Sequence, residues 1–126
     1  MGPLMGLRAL EIGNGGEVAG KLLADAGTDV IRIEPLDGAR TRHTGPFVAD
    51  VPDVNNSIHY QYLNTSKRGI TLNLDMEDGV RIWKLLVRTA DIVIDSSGPT
   101  DLDYLNAGYE QFADHEQLVW CSVTPF

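Results

Sequence analysis

Cysteine occurs once in this chain of 126 residues, at Cys121. No intrachain disulfide can therefore form, and no thiolate metal cage can be built from this chain alone. A reducing compartment, the cytoplasm, is the expected setting. Basic residues are scarce as well: ten Lys and Arg stand against eighteen Asp and Glu, for a net charge of -8. That balance argues against duplex nucleic acid or an anionic membrane as the main partner. Long apolar runs are missing, with none near the ~20 residues that cross a bilayer. The N-terminus also lacks the basic stretch and apolar segment of a signal peptide. A soluble, unprocessed protein is expected, and 43% apolar residues over this length suffice for one core, read as a single domain over 1–126.

The charge is uneven. All ten basic residues lie between Arg8 and Arg88, and the last 38 residues hold seven acids with no Lys or Arg. An anionic ligand should meet the first two-thirds.

Leu7 to Ile12 is a short apolar run that stops at Gly13-Asn14-Gly15-Gly16, reading as a strand and a tight turn. Val18, Leu22, Leu23 and Ala26 then recur at helical spacing and end at Gly27, a good C-terminal glycine. Asp29 to Glu34 is a β-branched strand closed by Pro35. From Pro35 to Ser57 no period is sustained, so a long irregular connection is expected, followed by a short helix over Ile58 to Asn64.

A second unit follows. Gly69 to Leu74 alternates as a strand, Asp75 is a candidate N-cap, and Ile82, Trp83, Leu85 and Leu86 form an apolar stripe on a helix running to about Thr89. Ala90 to Asp95 reads as a buried strand, residues 101–105 and 109–114 as short helical turns, and Leu118 to Val123 as a last strand. Strands alternating with helices predict an α/β fold, a Rossmann-like, mainly parallel sheet with helices on both faces. The chain stops beside a strand end where such a fold places another loop and helix, so the sequence reads as cut short.

Two clusters carry possible chemistry. Glycines at 13, 15 and 16 sit between a first strand and a first helix, where backbone amides and the helix N-terminus can meet a phosphate. Val18 breaks the dinucleotide pattern, although Glu34 has the spacing to accept a ribose hydroxyl. The same turn is similar to the first motif of the S-adenosylmethionine-dependent methyltransferases, so NAD and S-adenosylmethionine are alternative ligands. The plain alternative is that these glycines only turn the chain. Glu17, in the first helical turn, would compete with a phosphate for the dipole. The second cluster is Lys67 and Arg68 entering the Gly69 to Leu74 strand, with Arg40 and Arg42 in the loop before it. It is either a patch for a phosphorylated ligand or a solvated pair at a strand entry. His43, His59 and His115 show no metal-ligand spacing, so no metal is expected, and Cys121 reads as a small core residue.

Taken in order, several segments resemble the start of the family III CoA-transferases, which include formyl-CoA and carnitine CoA-transferases and the related α-methylacyl-CoA racemases. These segments are Leu7 to Glu11, Leu22 to Pro35 (LLADAGTDVIRIEP), Asn64 to Leu72 (NTSKRGITL), Ala90 to Ile94 and Leu118 to Thr124. The resemblance implies a Rossmann-like domain that binds coenzyme A, within a longer chain whose copies interlock as a dimer. It also implies acyl-CoA and a carboxylic acid as substrates, and Arg40, Arg42, Lys67, Arg68, Leu72 and Ser96 as CoA-side residues, with Leu72 and Ser96 beside the adenine. The family's nucleophile is an aspartate that attacks the thioester and passes through an acyl-aspartyl anhydride to an aspartyl-CoA thioester. It follows the strand matching Leu118 to Thr124 and so falls beyond Phe126, which makes this chain alone inactive by expectation. The sequence departs from the family at the short Gly15 to Ala19 segment, at Asp95 to Thr100 where E-N-[FY]-[RK]-P-G is common, and at Tyr104 where a basic residue is frequent. Two readings follow: part of an active transferase or racemase, or the non-catalytic half of a duplicated or two-subunit one.

Overall fold

A computed structural model of the protein describes residues 2–125. Five strands run β1 (Arg8–Gly13), β2 (Asp29–Glu34), β3 (Arg68–Thr71), β4 (Ile92–Ser96) and β5 (Val119–Ser122). Four helices, α1 (Glu17–Asp25), α2 (Ile58–Leu63), α3 (Glu77–Val87) and α4 (Asp101–Tyr104), lie between them. The sheet order is β3-β2-β1-β4-β5, and every neighbouring pair is parallel. This is the expected α/β fold. The order in which strands are added reverses between β1 and β4, and such a switch point places a ligand crevice at the carboxyl ends of the strands.

The two faces of the sheet differ because side chains alternate along each strand. Leu10, Ile12, Ile31, Ile33 and Val93 point to one side and pack with Trp83, Val87, Leu102 and Phe112. Trp83 anchors this core: it is fully buried, its indole N–H donates to the Ala107 carbonyl at 3.0 Å, and its ring meets Trp120 edge-on at 6.3 Å. On the other side Ala9, Ala24 and Val30 make only a small apolar cluster under α1. The rest of that face is polar, with Glu11, Arg32 and Glu34 buried in alternate register.

Three local expectations are corrected. Asp75 does not cap α3; its amide donates to the Asn73 side chain at 3.0 Å in a local turn, and the helix starts two residues later at Glu77. The buried line of α3 is Gly79, Trp83 and Val87, whereas Ile82 and Leu85 are exposed. Cys121 is exposed rather than buried, because α1 lies across β1 and β2 and leaves the same face of β5 open. The connection from Pro35 to Ser57 is irregular apart from 3-10 turns at Arg40–His43 and Val48–Asp50.

Trp83→Ala is expected to lower stability by about 3–5 kcal/mol in urea unfolding, the usual cost of a large buried aromatic. Leu85→Ala should stay within about 0.5 kcal/mol. The opposite order would mean that α3 presents its other face to the sheet.

Candidate functional site

Beside the β1–β4 switch point a cleft of about 570 Å³ is lined by Asn14, Gly15, Ser96, Ser97, Pro99 and Val123; the candidate site is a neighbouring cleft of about 410 Å³ at the carboxyl ends of β1 and β2 and just past β3. Its apolar walls are Ile12, Ile33, Leu36, Leu72 and Leu74; Asn14, Asn73 and Ser97 add polar atoms, and Glu34, Asp37 and Asp75 add carboxylates. The volume is of the order usual for a small-molecule site. Leu72 is the one expected contact residue that lines it directly.

Glu34 ends β2 at the edge of this cleft, and its carboxylate is fully engaged. Oε1 accepts from Arg42 Nη2 at 2.8 Å and Tyr60 Oη at 2.6 Å; Oε2 accepts from Arg42 Nε at 2.6 Å and the Ala39 amide at 2.8 Å. Four donors fill the four lone-pair positions of a carboxylate. Burial pushes this group up, but the bonds from Arg42, Tyr60 and the Ala39 amide outweigh it and hold the carboxyl at about 2 instead of 4.5. Arg42 also donates to the Val54 carbonyl at 3.1 Å, and its guanidinium lies 3.8 Å from the Tyr60 ring centroid. Arg42 therefore ties the irregular connection and α2 to the sheet. Glu34 keeps no acceptor for a ribose hydroxyl, which removes the acid that the NAD and S-adenosylmethionine alternatives require.

Lys67 and Arg68 lie elsewhere. Lys67 passes beneath α1, where its side chain is 1% exposed and its ammonium donates to Glu11 Oε2 at 2.7 Å, the Glu17 carbonyl at 2.9 Å and Asn64 Oδ1 at 3.0 Å. Its three protons have three acceptors. Burial lowers the affinity of Lys67 for its proton and raises that of Glu11. Arg32 completes this group, meeting Glu11 Oε1 at 3.0 Å and Glu17 Oε1 at 3.1 Å. Glu17, expected to compete with a phosphate for the helix dipole, is turned inward and also accepts from Thr41 Oγ1 at 2.9 Å. Arg68 begins β3 at the amino end of the sheet, away from the cleft, and pairs with Asp29 at 2.6 Å.

Arg40 is tied to the cleft wall through its main chain. Its amide donates to Asn14 Oδ1 at 3.3 Å, and its exposed guanidinium has no hydrogen bond or ion pair among the described residues. Ser96, ending β4, accepts from the Gly15 amide at 2.8 Å and the Gly16 amide at 3.1 Å. Both glycines sit close to β4: a Cβ on Gly16 would come within 2.4 Å of the Ile94 side chain. Gly13 has φ +88 and lies against the Ser96 backbone, so the turn requires glycine for packing and conformation. Among the described residues no group of three or more His, Cys, Asp or Glu is placed to hold a metal.

Sequence reasoning brought Arg40, Leu72 and Ser96 to this end of the sheet but missed Asn14 and Tyr60. Asn14 carried a signal, as the one polar side chain inside the glycine turn; Tyr60 carried none.

The family model described as CoA-transferase family III matches residues 4–126. The chain belongs to this family. Its resemblance includes succinyl-CoA:(R)-benzylsuccinate CoA-transferase subunit BbsE of Thauera aromatica, 38% identical over 112 residues, which are 88% of this chain and 27% of that protein. Succinate–glutarate CoA-transferase of Agrobacterium fabrum is 36% identical over 130 residues, 98% of this chain and 32% of its own length. Formyl-CoA:oxalate CoA-transferase of Streptomyces avermitilis is 33% identical, covering 98% of this chain and 30% of that protein. The crystal structure of a CAIB/BAIF family protein from Brucella suis superposes with a TM-score of 0.88 at 34% identity, over 99% of this chain and 34% of the other. The chain thus spans about a third of the length of these CoA-transferase family III proteins.

Because the Glu34 carboxyl sits below its unfolded value, its stabilisation is complete above pH 4.5 and is lost as pH falls toward about 2. Glu34→Gln should cost on the order of 3 kcal/mol in urea unfolding at pH 7, and the gap from wild type should narrow at pH 3. Lys67→Ala, which leaves Glu11 buried without its ammonium, should cost about 3–5 kcal/mol in the same measurement.

Proposed function

We propose that this chain is the coenzyme A-binding N-terminal part of a cytoplasmic CoA-transferase that moves CoA between an acyl-CoA thioester and a carboxylic acid. The observation that carries this reading is the cleft beside Leu72, whose wall residue Asn14 accepts from the main-chain amide of Arg40, an arginine with an exposed side chain and no carboxylate partner among the described residues. Apolar walls suit the flat face of a purine, and an arginine free of carboxylate partners is the natural donor to a phosphate. The relatives' names support the reaction class, since each is a CoA-transferase acting on small carboxylic acids or their thioesters. The acyl-CoA racemase branch named with the family has no such support among these relatives.

In this reading the six CoA-side candidates divide by task. Arg40 and Leu72 meet the ligand, Arg42 braces the connection that carries Arg40, and Lys67 and Arg68 build the scaffold. Ser96 belongs to the turn behind the cleft. The nucleophilic aspartate comes from chain outside these residues, so the chain contributes binding and orientation. The parent assembles as a homodimer or with a second transferase half.

A second reading, a non-catalytic half kept for assembly, is favoured by the internal use of Glu34, Lys67 and Ser96, each saturated by protein partners. A relative described as a subunit is consistent with such pairing.

Thermal unfolding of the 126-residue chain separates the two. CoA at about 100 times its Kd should add roughly 2.7 kcal/mol and raise Tm, while NAD and S-adenosylmethionine should not. Arg40→Glu should remove the CoA response. No response of the wild-type chain to CoA would favour the assembly reading, and measurable CoA transfer by this chain alone would refute its expected lack of turnover.

A further inference from the structure

The candidate cleft carries charge of one sign only. Three carboxylates, Glu34, Asp37 and Asp75, stand among its lining residues, which include no Lys, Arg or His. Glu34 is paired with Arg42, which gives Nε and Nη2 to it. Asp37 and Asp75 have no such compensation: both are exposed, and neither carboxylate has a hydrogen bond or ion pair among the described residues.

The chain brings the two aspartates to the cleft in the same way. Strand β2 runs out into Pro35-Leu36-Asp37 and β3 into Asn73-Leu74-Asp75, so that on each side an apolar wall residue is followed at once by an acid. The two strands are parallel neighbours, in register from Ile31 beside Arg68 to Glu34 beside Thr71, which sets both aspartates at the same end of the sheet. Past β1 and β4 the lining is neutral, with Asn14 and Ser97.

A group that enters on the β2–β3 side therefore meets apolar surface together with two uncompensated negative charges. An aminopurine ring suits both, since its faces are flat and apolar and its N–H groups find acceptors. A phosphate there is opposed by like charge, and cleft walls of low dielectric concentrate that field.

We infer that Asp37 and Asp75 are specificity residues, which admit the purine end of the nucleotide to this side of the cleft and keep its phosphates out. The inference rests on the CoA reading of the cleft and deepens it. Coenzyme A carries a phosphate on its ribose 3′ oxygen, beside the base, and that group bears the repulsion most directly. The form without it, 3′-dephospho-CoA, is the tighter ligand of this chain.

The test compares CoA with 3′-dephospho-CoA by titration calorimetry, on the wild-type 126-residue chain and on the double variant Asp37→Asn/Asp75→Asn, at about 0.02 M and about 0.5 M NaCl. At low salt the wild type should bind 3′-dephospho-CoA about fivefold more tightly than CoA. In the double variant the two ligands should come within about twofold, because CoA gains affinity and 3′-dephospho-CoA does not. At high salt the wild-type preference should also fall below about twofold, as screening removes it. Glu110→Gln/Glu116→Gln takes the same two charges from exposed positions outside the cleft and should leave the preference in place. CoA bound by the wild type as tightly as its dephospho form, or more tightly, would overturn the inference and leave the CoA reading standing. A preference that persists in the Asp37→Asn/Asp75→Asn variant, or that is lost equally in the Glu110→Gln/Glu116→Gln variant, would overturn the role of these two aspartates. Binding of neither ligand by the wild type would overturn the CoA reading and the inference together. Both aspartates are exposed, so the double variant should keep the wild-type Tm. Should it unfold, Asp37→Asn and Asp75→Asn are measured singly, and each should show about half of the change in binding free energy.

Discussion

Four charges buried beneath α1 set the geometry on which the rest of this fold depends. Glu11 from β1, Arg32 from β2, Glu17 from α1 and Lys67 from the approach to β3 meet in one group with no net charge. Burying ions is costly unless each meets an opposite charge, and in this group each does, although Arg32 Nε is left without a hydrogen bond. Its members come from four separate stretches of chain, so only one packing of helix on sheet satisfies them. Gly20 belongs to the same constraint. A side chain there would come within 1.6 Å of Glu11 Oε2, so α1 can approach the carboxylate only where it has none.

This arrangement gives the two faces of the sheet different tasks. The α3 face supplies hydrophobic burial around Trp83, Trp120 and Phe112, where tight packing matters more than direction. The α1 face supplies direction. From it the network extends outward, because Thr41 donates to Glu17 and the neighbouring Arg42 grips Glu34. The irregular connection from Pro35 to Ser57 is thereby held to the sheet by side chains where it lacks regular secondary structure. Ser57 adds to this: its hydroxyl lies within hydrogen-bond distance of the Thr41 and Thr44 carbonyls, which share its single proton, while its oxygen accepts from the Tyr60 amide.

The alternation of strands and helices was legible because apolar periodicity and glycine breaks are local properties of the chain. The family segments were legible for the same reason, being contiguous runs. What stayed hidden was the partner of each charge. Lys67 and Arg68 are adjacent in sequence and look alike as a basic pair, yet one is buried against Glu11 and the other sits at the far end of the sheet with Asp29. The ammonium of Lys67 and the carboxylate of Glu11 are 56 residues apart in the chain, and no spacing rule connects them. Asp75 and Cys121 were misread because each was judged by its own segment. Asp75 yields to the turn made by Asn73, and Cys121 lies on a strand that α1 does not reach.

That uncovered face of β5 has a practical side. Cys121 is the sole thiol in the chain, and its exposed position on β5 lets a dye or spin label be attached at one defined place without touching the cleft. A reporter there would register the arrival of any companion polypeptide against the open side of the sheet, and would do so independently of whether a nucleotide is bound.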